Sequence, residues 1–303
     1  MVLWARGGQQ MSKLVGHAEA IGHHGELVQG LFEDTGVHFR RALVSLPCRH
    51  LKTRASFRAQ PGQPVAVSQP HCQKALRAAQ MTLSAFAPEG MGGTLSVHSN
   101  IPIGRGMGSS TADVLASILA VLDCLQINAS PERVMRIAVG AETACDSTLF
   151  SQQAVLFAHR EGLVMEAFRK SLPALDVVSV DTMPEATVNT LEFEPARYDA
   201  AEIEAFRPLR SLLRTAINEA NPCLLGKVAT ASAHMNERFL PKPRLDELEA
   251  IGTRFGAVGI QVAHSGTVAG LLFDKHDADT PRNIELAAEM LKRSAFEPTI
   301  FHS

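Results

Sequence analysis

The sequence predicts an α/β (α+β) protein of two domains, and three observations carry that prediction. Segments with helical spacing alternate with short β-branched runs, a glycine-rich loop feeds straight into a long apolar helix, and the composition changes near residue 165, where Pro/Glu-rich connections begin. With 303 residues, 46% hydrophobic and 20% charged, the chain can bury a large core, which excludes disorder. That length is near twice the usual ~100–200 residues of a domain, and the expected division is 11–165 and 166–303.

The elements follow in order. Lys13 to Phe57 reads as strands joined by a glycine-bearing loop at Gly22–Gly30, with an apolar run, Ala42–Leu46, ending at Pro47. Pro70 to Phe86 has helical spacing, and Gly90 to Val97 reads as a turn feeding a strand. After the glycine loop, Leu115, Ile118, Leu119, Leu122 and Leu125 keep a helical period, while Ala112, Ala116 and Ala120 between them allow close packing. Pro131 to Ala144 is the next predicted helix, with Ser130 as N-cap and Pro131 at its first position. Beyond Leu163, Val177–Val180 and Thr187–Phe193 read as strands, and Glu202–Asn218, Gly226–Phe239, Arg244–Phe255 and Thr280–Arg293 as helices. Between the last two, alternating runs about His264-Ser265-Gly266 signal a hairpin.

Composition also excludes function classes. Lys+Arg is 29 against Asp+Glu 31, a formal charge of −2, so no global field draws in nucleic acid or an anionic membrane, and an anionic ligand must be held locally. The longest apolar stretch, Val114 to Leu122, is followed by Asp123 and is too short to span a bilayer. Five dispersed cysteines without a CxxC pair fit reduced thiols, hence an expected cytoplasmic location. Met1–Gln10 is too brief for a signal-peptide core, and Met11 is an alternative start.

The chemistry concentrates in Pro102-Ile-Gly104-Arg105-Gly106-Met107-Gly108-Ser109-Ser110-Thr111. Glycines let backbone N–H groups approach an anion, and a helix start adds orphan donors and a favourable dipole. The hydroxyls of Ser109, Ser110 and Thr111 can add donors or reach a metal ion on phosphates. The alternative is a tight strand-to-helix turn whose glycines merely take positive φ. Ser110 and Asp113 have capping-box spacing. No lysine follows, which excludes a Walker loop, and the glycine spacing does not give the dinucleotide fingerprint of a dehydrogenase. Glu142 and Asp146, four apart, share one face if their helix continues, as an acid pair in a site or as a solvated helix end. His17, His23 and His24 cluster without a cysteine partner or an HExxH spacing, which disfavours zinc. Cys145 has no activating base beside it in sequence and reads as packing. Asn236 and Arg238 fall on a predicted helix, either facing a substrate or solvated.

PIGRGMGSSTA resembles the phosphate-binding signature of the GHMP kinases. Gly22-His23-His24-Gly25-Glu26-Leu27-Val28-Gln29-Gly30 and Gln261–Gly270 further resemble segments of the bacterial L-threonine kinases of cobalamin (cobamide) synthesis, a resemblance running from about Lys13 to the C-terminus. It implies the two-domain GHMP kinase fold: an N-terminal ribosomal-protein-S5-like domain and a C-terminal ferredoxin-like domain, with the site in the cleft between them. It implies transfer of the ATP γ-phosphoryl to a hydroxy amino acid, L-threonine first and homoserine or an amino alcohol next; a silent nucleotide-binding homologue is the alternative. The implied ATP site is Pro102, Gly104, Arg105, Gly106, Met107, Gly108, Ser109, Ser110 and Thr111. Mg²⁺ falls to Ser110 and Glu142, catalysis to Asp146 with Glu142, and substrate contacts to Glu26, His24, His264, Ser265 and Gly266. The implied partners are small molecules, with a homodimer compatible with the pattern. Where many members carry a first-motif lysine, this chain has Ile21-Gly22-His23, and its third motif offers Gly266 and Gly270 around a His-Ser pair.

Overall fold

The computed structural model describes residues 14–34, 38–186 and 196–302. Met11 and the expected strand Thr187–Phe193 lie outside them. The chain runs β1 (Val15–Glu33), β2 (Phe39–Ala59), β3 (Val65–Val67), α1 (Gln73–Phe86), β4 (Gly93–Ser99), α2 (Ser109–Leu125), α3 (Pro131–Glu142), β5 (Val155–Ala158) and β6 (Leu163–Ala167). It continues with β7 (Leu175–Asp181), α4 (Ala200–Asn218), α5 (Pro222–Glu237), α6 (Leu245–Arg254), β8 (Gly259–Val262), β9 (Val268–Asp274), α7 (Thr280–Arg293) and β10 (Thr299–Phe301). The sheet among the described residues is continuous, ordered β10-β7-β9-β8-β1-β2-β4-β3, with β5 attached to β2 and β6 to β5. The expected division after residue 165 falls inside β6.

Gly22–Gly30 is not a loop. It lies within β1, which pairs antiparallel with β2 from Val15↔Arg58 to Glu33↔Phe39. Its glycines instead serve bulges: the register shifts between Ile21 and Gly22, between His23 and Glu26, and between Glu26 and Val28, with Gly25 at φ +62°. The bulges re-aim side chains, and Glu26 pairs across to Val262 of β8 as well as to Ser45 of β2.

Helix α2 lies directly on this ribbon. Ala112, Ala116 and Ala120 are buried as the pattern predicts, and a Cβ on Gly16 would meet the Ala120 carbonyl oxygen at 2.1 Å, so glycine in β1 permits the contact. Phe57, Leu95, Leu115, Ile118 and Met135 fill the core beneath α1–α3. A second core joins Leu27, Val28 and Phe32 of β1 to Phe206 and Leu213 of α4 and Leu225 of α5. A third packs α6 and α7 on β7–β9 through Leu248, Leu291, Val178, Ile260 and Leu271. Because the long strand β1 serves both of the first two cores, burial of each apolar face holds the cleft between them in place.

Two local expectations are corrected. The α2 N-cap is Gly108 at φ +77°, not a Ser110–Asp113 capping box; Asp113 accepts instead from Thr53 Oγ1 at 2.7 Å. Helix α3 keeps its Ser130 cap, which accepts from Arg133 N, but ends at Glu142. Thr143 at φ +83° stops it, so Asp146 sits on the following loop rather than on the same helical face. The hairpin about His264-Ser265-Gly266 forms as β8 and β9.

Candidate active site

A cleft of about 620 Å³ opens where α2 begins, bounded by the bulged part of β1, the end of α3, the β5–β6 turn, α5 and the β8–β9 turn. Gly104, Gly106 and Gly108 all take positive φ (+73°, +76° and +77°), a conformation that side chains resist. Space is equally restrictive: a Cβ on Gly108 would stand 2.4 Å from His23 Cδ2, and one on Gly106 would stand 2.5 Å from Ala263 Cβ. Thr267 N donates to Arg105 O (3.1 Å) and His23 N to Met107 O (3.1 Å), so the loop is pinned on both sides. The first N–H groups of a helix have no intrahelical partner; here those of α2 begin at the cleft floor with Ser109, Ser110 and Thr111.

Two carboxylates flank that helix start. Thr111 Oγ1 donates to Glu142 Oε2 at 3.1 Å, and Ser110 also hydrogen-bonds this carboxylate. Lys74 of α1 holds the other oxygen at 3.3 Å. Burial pushes the Glu142 carboxyl upward against these contacts. Cys145, buried beside it, has its thiol pushed up by burial and by Glu142, which fits packing rather than nucleophilic chemistry. Asp146 N approaches Thr111 Oγ1 at 3.4 Å, and its carboxylate meets His23 Nε2 at 2.9 Å.

His23, 2% exposed, has Nδ1 at 3.1 Å from the Gly25 carbonyl oxygen. A carbonyl and an ionised carboxylate both only accept, so the ring donates from both nitrogens and is an imidazolium. Burial opposes that charge, but Asp146 and then Glu26 outweigh it and lift the pKa to about 9. In return His23 holds Asp146 below the usual carboxylate range despite its burial. Glu26 accepts from His264 N (2.9 Å) and lies 3.0 Å from His264 Nδ1.

With this geometry established, comparison gives the lineage of the site. The GHMP kinases N terminal domain model matches residues 73–154, the stretch that holds the glycine loop, Lys74, Glu142 and Asp146. Over that stretch the chain is similar to the N-terminal domain of the GHMP kinases. An L-threonine kinase of Citrobacter freundii is 33% identical over 190 residues, covering 61% of this chain and 64% of that enzyme. The chain therefore spans slightly less than two thirds of that relative's length. A homoserine kinase of Wolinella succinogenes is 27% identical over 207 residues, covering 67% of this chain and 70% of its own. Among solved structures, homoserine kinase from Cytophaga hutchinsonii superposes with a TM-score of 0.66 at 13% identity, covering 95% and 94% of the two chains. Mevalonate kinase from Staphylococcus aureus gives 0.61 at 19%, covering 95% and 98%. The fold is that of the GHMP kinases.

On this GHMP kinase fold the expected residues sort into three groups. Gly104, Gly106, Met107, Gly108, Ser109, Ser110, Thr111, Glu142, Asp146, Glu26, His264 and Ser265 line one cleft. Pro102 stands outside it, exposed before the loop. Arg105, His24 and Gly266 are corrected. Arg105 turns away from the cleft onto the carbonyls of Met183, Pro184 and Ala186 and the Asp181 carboxylate (2.9 Å), fastening the loop to the segment after β7. His24 faces the opposite side from His23, as neighbours in a strand do. Its ring bonds Ser179 Oγ at 2.6 Å and Gln261, packs on Phe301, and is neutral, its pKa driven to about 3 by burial and then by His23. Gly266 sits beneath the glycine loop, where a Cβ would meet Arg105 O at 2.1 Å.

The cleft also holds Lys74, Arg41, His159 and Arg160, which the sequence reading did not single out. No motif marks them: they come from α1, β2 and the β5–β6 turn, and only the fold assembles them. Asn236 lines the cleft, donating to Gln29 O (3.0 Å) and accepting from Tyr198 OH (2.6 Å). Arg238 points out to Glu202 at 2.6 Å.

Proposed function

We propose that the protein is an ATP-dependent kinase that phosphorylates the hydroxyl of a hydroxy amino acid, with L-threonine as substrate and O-phospho-L-threonine, for the cobalamin side chain, as product. One observation carries the reading: a glycine cradle at a helix start opens onto the same cleft as a hydroxyl-bound carboxylate and an imidazolium-held aspartate. The similarity to threonine and homoserine kinases supports it and sets the order of candidate acceptors.

The residues fit the groups such a reaction needs. The positive-φ glycines and the α2 N–H groups suit a polyphosphate, and the all-oxygen set of Ser110, Thr111 and Glu142 suits a hard divalent cation such as Mg²⁺. ATP with Mg²⁺ supplies the transferable phosphoryl group and neutralises its charge. Asp146, kept ionised by His23, would accept the proton as the substrate oxygen forms its bond to γ-phosphorus and the bond from γ-phosphorus to the β–γ bridging oxygen breaks, with ADP leaving. His23 holds that carboxylate in one orientation, and the rigid glycine loop keeps the acceptor and donor ends in line.

None of the described helices is long and apolar enough to cross a membrane. All five cysteines are free, four of them buried, which supports a reducing compartment, and we assign the cytoplasm. The test is ADP release from ATP and Mg²⁺ with L-threonine, L-serine, L-homoserine and 1-amino-2-propanol. The expected result is turnover with L-threonine at the highest kcat/KM, and silence across the panel would overturn the reading.

A further inference from the structure

The charges lining the cleft do not balance. Each of three carboxylates has its own partner: Glu142 has Lys74 at 3.3 Å, Asp146 has His23 at 2.9 Å, and Glu26 has the His264 ring at 3.0 Å. Arg41 and Arg160 also line the cleft, Arg41 half-buried and Arg160 exposed, and among the described residues no ion pair joins either of them to a carboxylate. The fold holds them together. Leu43 of β2 pairs with Phe157 of β5 in antiparallel register, and the same direction carried two residues on brings Arg41 toward His159, next in sequence to Arg160. The two guanidiniums repel, and burial with Arg160 pushes the Arg41 pKa down. Next to them His159 Nδ1 is buried without a hydrogen-bond partner among the described residues. A half-buried cation without a carboxylate and an orphaned buried nitrogen, with exposed Arg160 at their rim, are features that an anionic ligand would satisfy.

Position separates Arg41 from the phosphate cradle. The glycine loop docks on β1 at His23, which pairs with Pro47; Arg41 lies six residues further along β2, roughly 20 Å at ~3.3 Å per residue. Arg41 is backed by Tyr198, whose ring centroid is 6.0 Å away and whose hydroxyl is fixed on Asn236. His159 O, in contrast, accepts from Cys145 N at 2.9 Å, which ties Arg160 to the loop carrying Asp146. The pair thus flanks the acceptor side of the cleft.

We propose that Arg41 and Arg160, with His159, form an anion subsite that takes the carboxylate of the acceptor, so that the substrate class is a hydroxy acid and not a simple amino alcohol. The inference rests on the kinase reading above and names the specificity of that same site. Planar guanidiniums match a carboxylate in shape, and charge-assisted hydrogen bonds there would fix which hydroxyl faces Asp146.

The test compares L-threonine with (R)-1-amino-2-propanol, the same alcohol and amine without the carboxylate, in wild type, Arg41→Ala, Arg41→Lys and Arg160→Ala. The alanine variants should raise KM for L-threonine tenfold or more, leave KM for ATP and for the amino alcohol within twofold, and be partly rescued in Arg41→Lys. Unchanged KM for L-threonine overturns the subsite; so does a rise confined to ATP, which would mean that the arginines serve nucleotide phosphate. Calorimetric titration of L-threonine separates this proposal from the kinase reading. Binding that Arg41→Ala abolishes, without turnover of any acceptor, upholds the subsite and removes the kinase; turnover of L-threonine without any effect of the variants does the reverse. If L-threonine neither binds to wild type nor is turned over, the subsite is overturned.

Discussion

His23→Gln keeps a hydrogen-bond donor opposite Asp146 but removes the proton that titrates, so it isolates the electrostatic part of the pair. The folded protein holds that proton to about pH 9, whereas an unfolded histidine releases it near 6.5. At about 1.36 kcal/mol per pH unit the difference is about 3 kcal/mol, an order-of-magnitude figure for the pair as a whole, in which the lowered pKa of Asp146 is the same interaction seen from its partner. The folded state binds the extra proton, so the stabilisation is complete below pH 6.5 and is lost as pH rises through about 9. Urea unfolding of wild type and His23→Gln at pH 6, 7.5 and 10 measures it. The stability gap between the two proteins should shrink by about 3 kcal/mol from pH 6 to pH 10. Using the gap removes contributions common to both, including Lys242, whose pKa burial lowers to about 8 and whose effect on stability has the opposite sign. A gap that stays constant across this range refutes the imidazolium assignment, whatever the size of the gap.

Asp146→Asn should lower kcat for the best acceptor by about 10²–10⁴-fold, the usual range for a general base, with KM for ATP little changed; ADP release under saturating ATP measures it. Glu142→Gln should instead raise the Mg²⁺ concentration for half-maximal activity, read from a metal titration, because it removes the anionic oxygen next to Ser110 and Thr111. Gly108→Ala places a Cβ at φ +77° and 2.4 Å from His23; the backbone alone costs about 1–2 kcal/mol, so thermal melting should fall and ATP binding weaken together. His24 is neutral in the fold with a pKa near 3, so its contribution to stability is present above pH 6.5 and lost as pH falls toward 3. His24→Asn should therefore show a shallower acid limb in a pH series of urea melts.

What could be read in the sequence was what repeats locally. The α2 and α7 periods, the Ser130 cap and the hairpin about Ser265 depend on neighbours in the chain, and the structure contains each of them. The glycine loop was legible for the same reason, since three glycines before a hydroxyl run specify a turn and a helix start together. Side-chain direction was not legible. Whether His23 or His24 faces the cleft turns on one residue of strand register, set by bulges that only pairing with β2 and β8 defines. Arg105 was misread because its partners are carbonyls of a segment some 80 residues away, which no spacing rule connects to it. Lys74 and Arg41 went unnoticed because a lone cation on a helix or strand is ordinarily solvated.

The near-zero net charge takes on a different meaning at the site. A −2 chain has no field to gather a polyanion, and the cleft does not create one by stacking lysines beside the glycine loop. Lys74 and His23 are each committed to a carboxylate, so their charges orient acids rather than attract phosphate, and the His264 ring faces Glu26. The donors left for phosphate are backbone N–H groups and hydroxyls, which recognise shape more than charge. The free positive charge lies instead with Arg41 and Arg160 of the same cleft, Arg41 well along β2 from that cradle. Such a separation places neutral, geometric recognition at one end and charge recognition at the other, so the nucleotide and an anionic acceptor do not compete for the same cations.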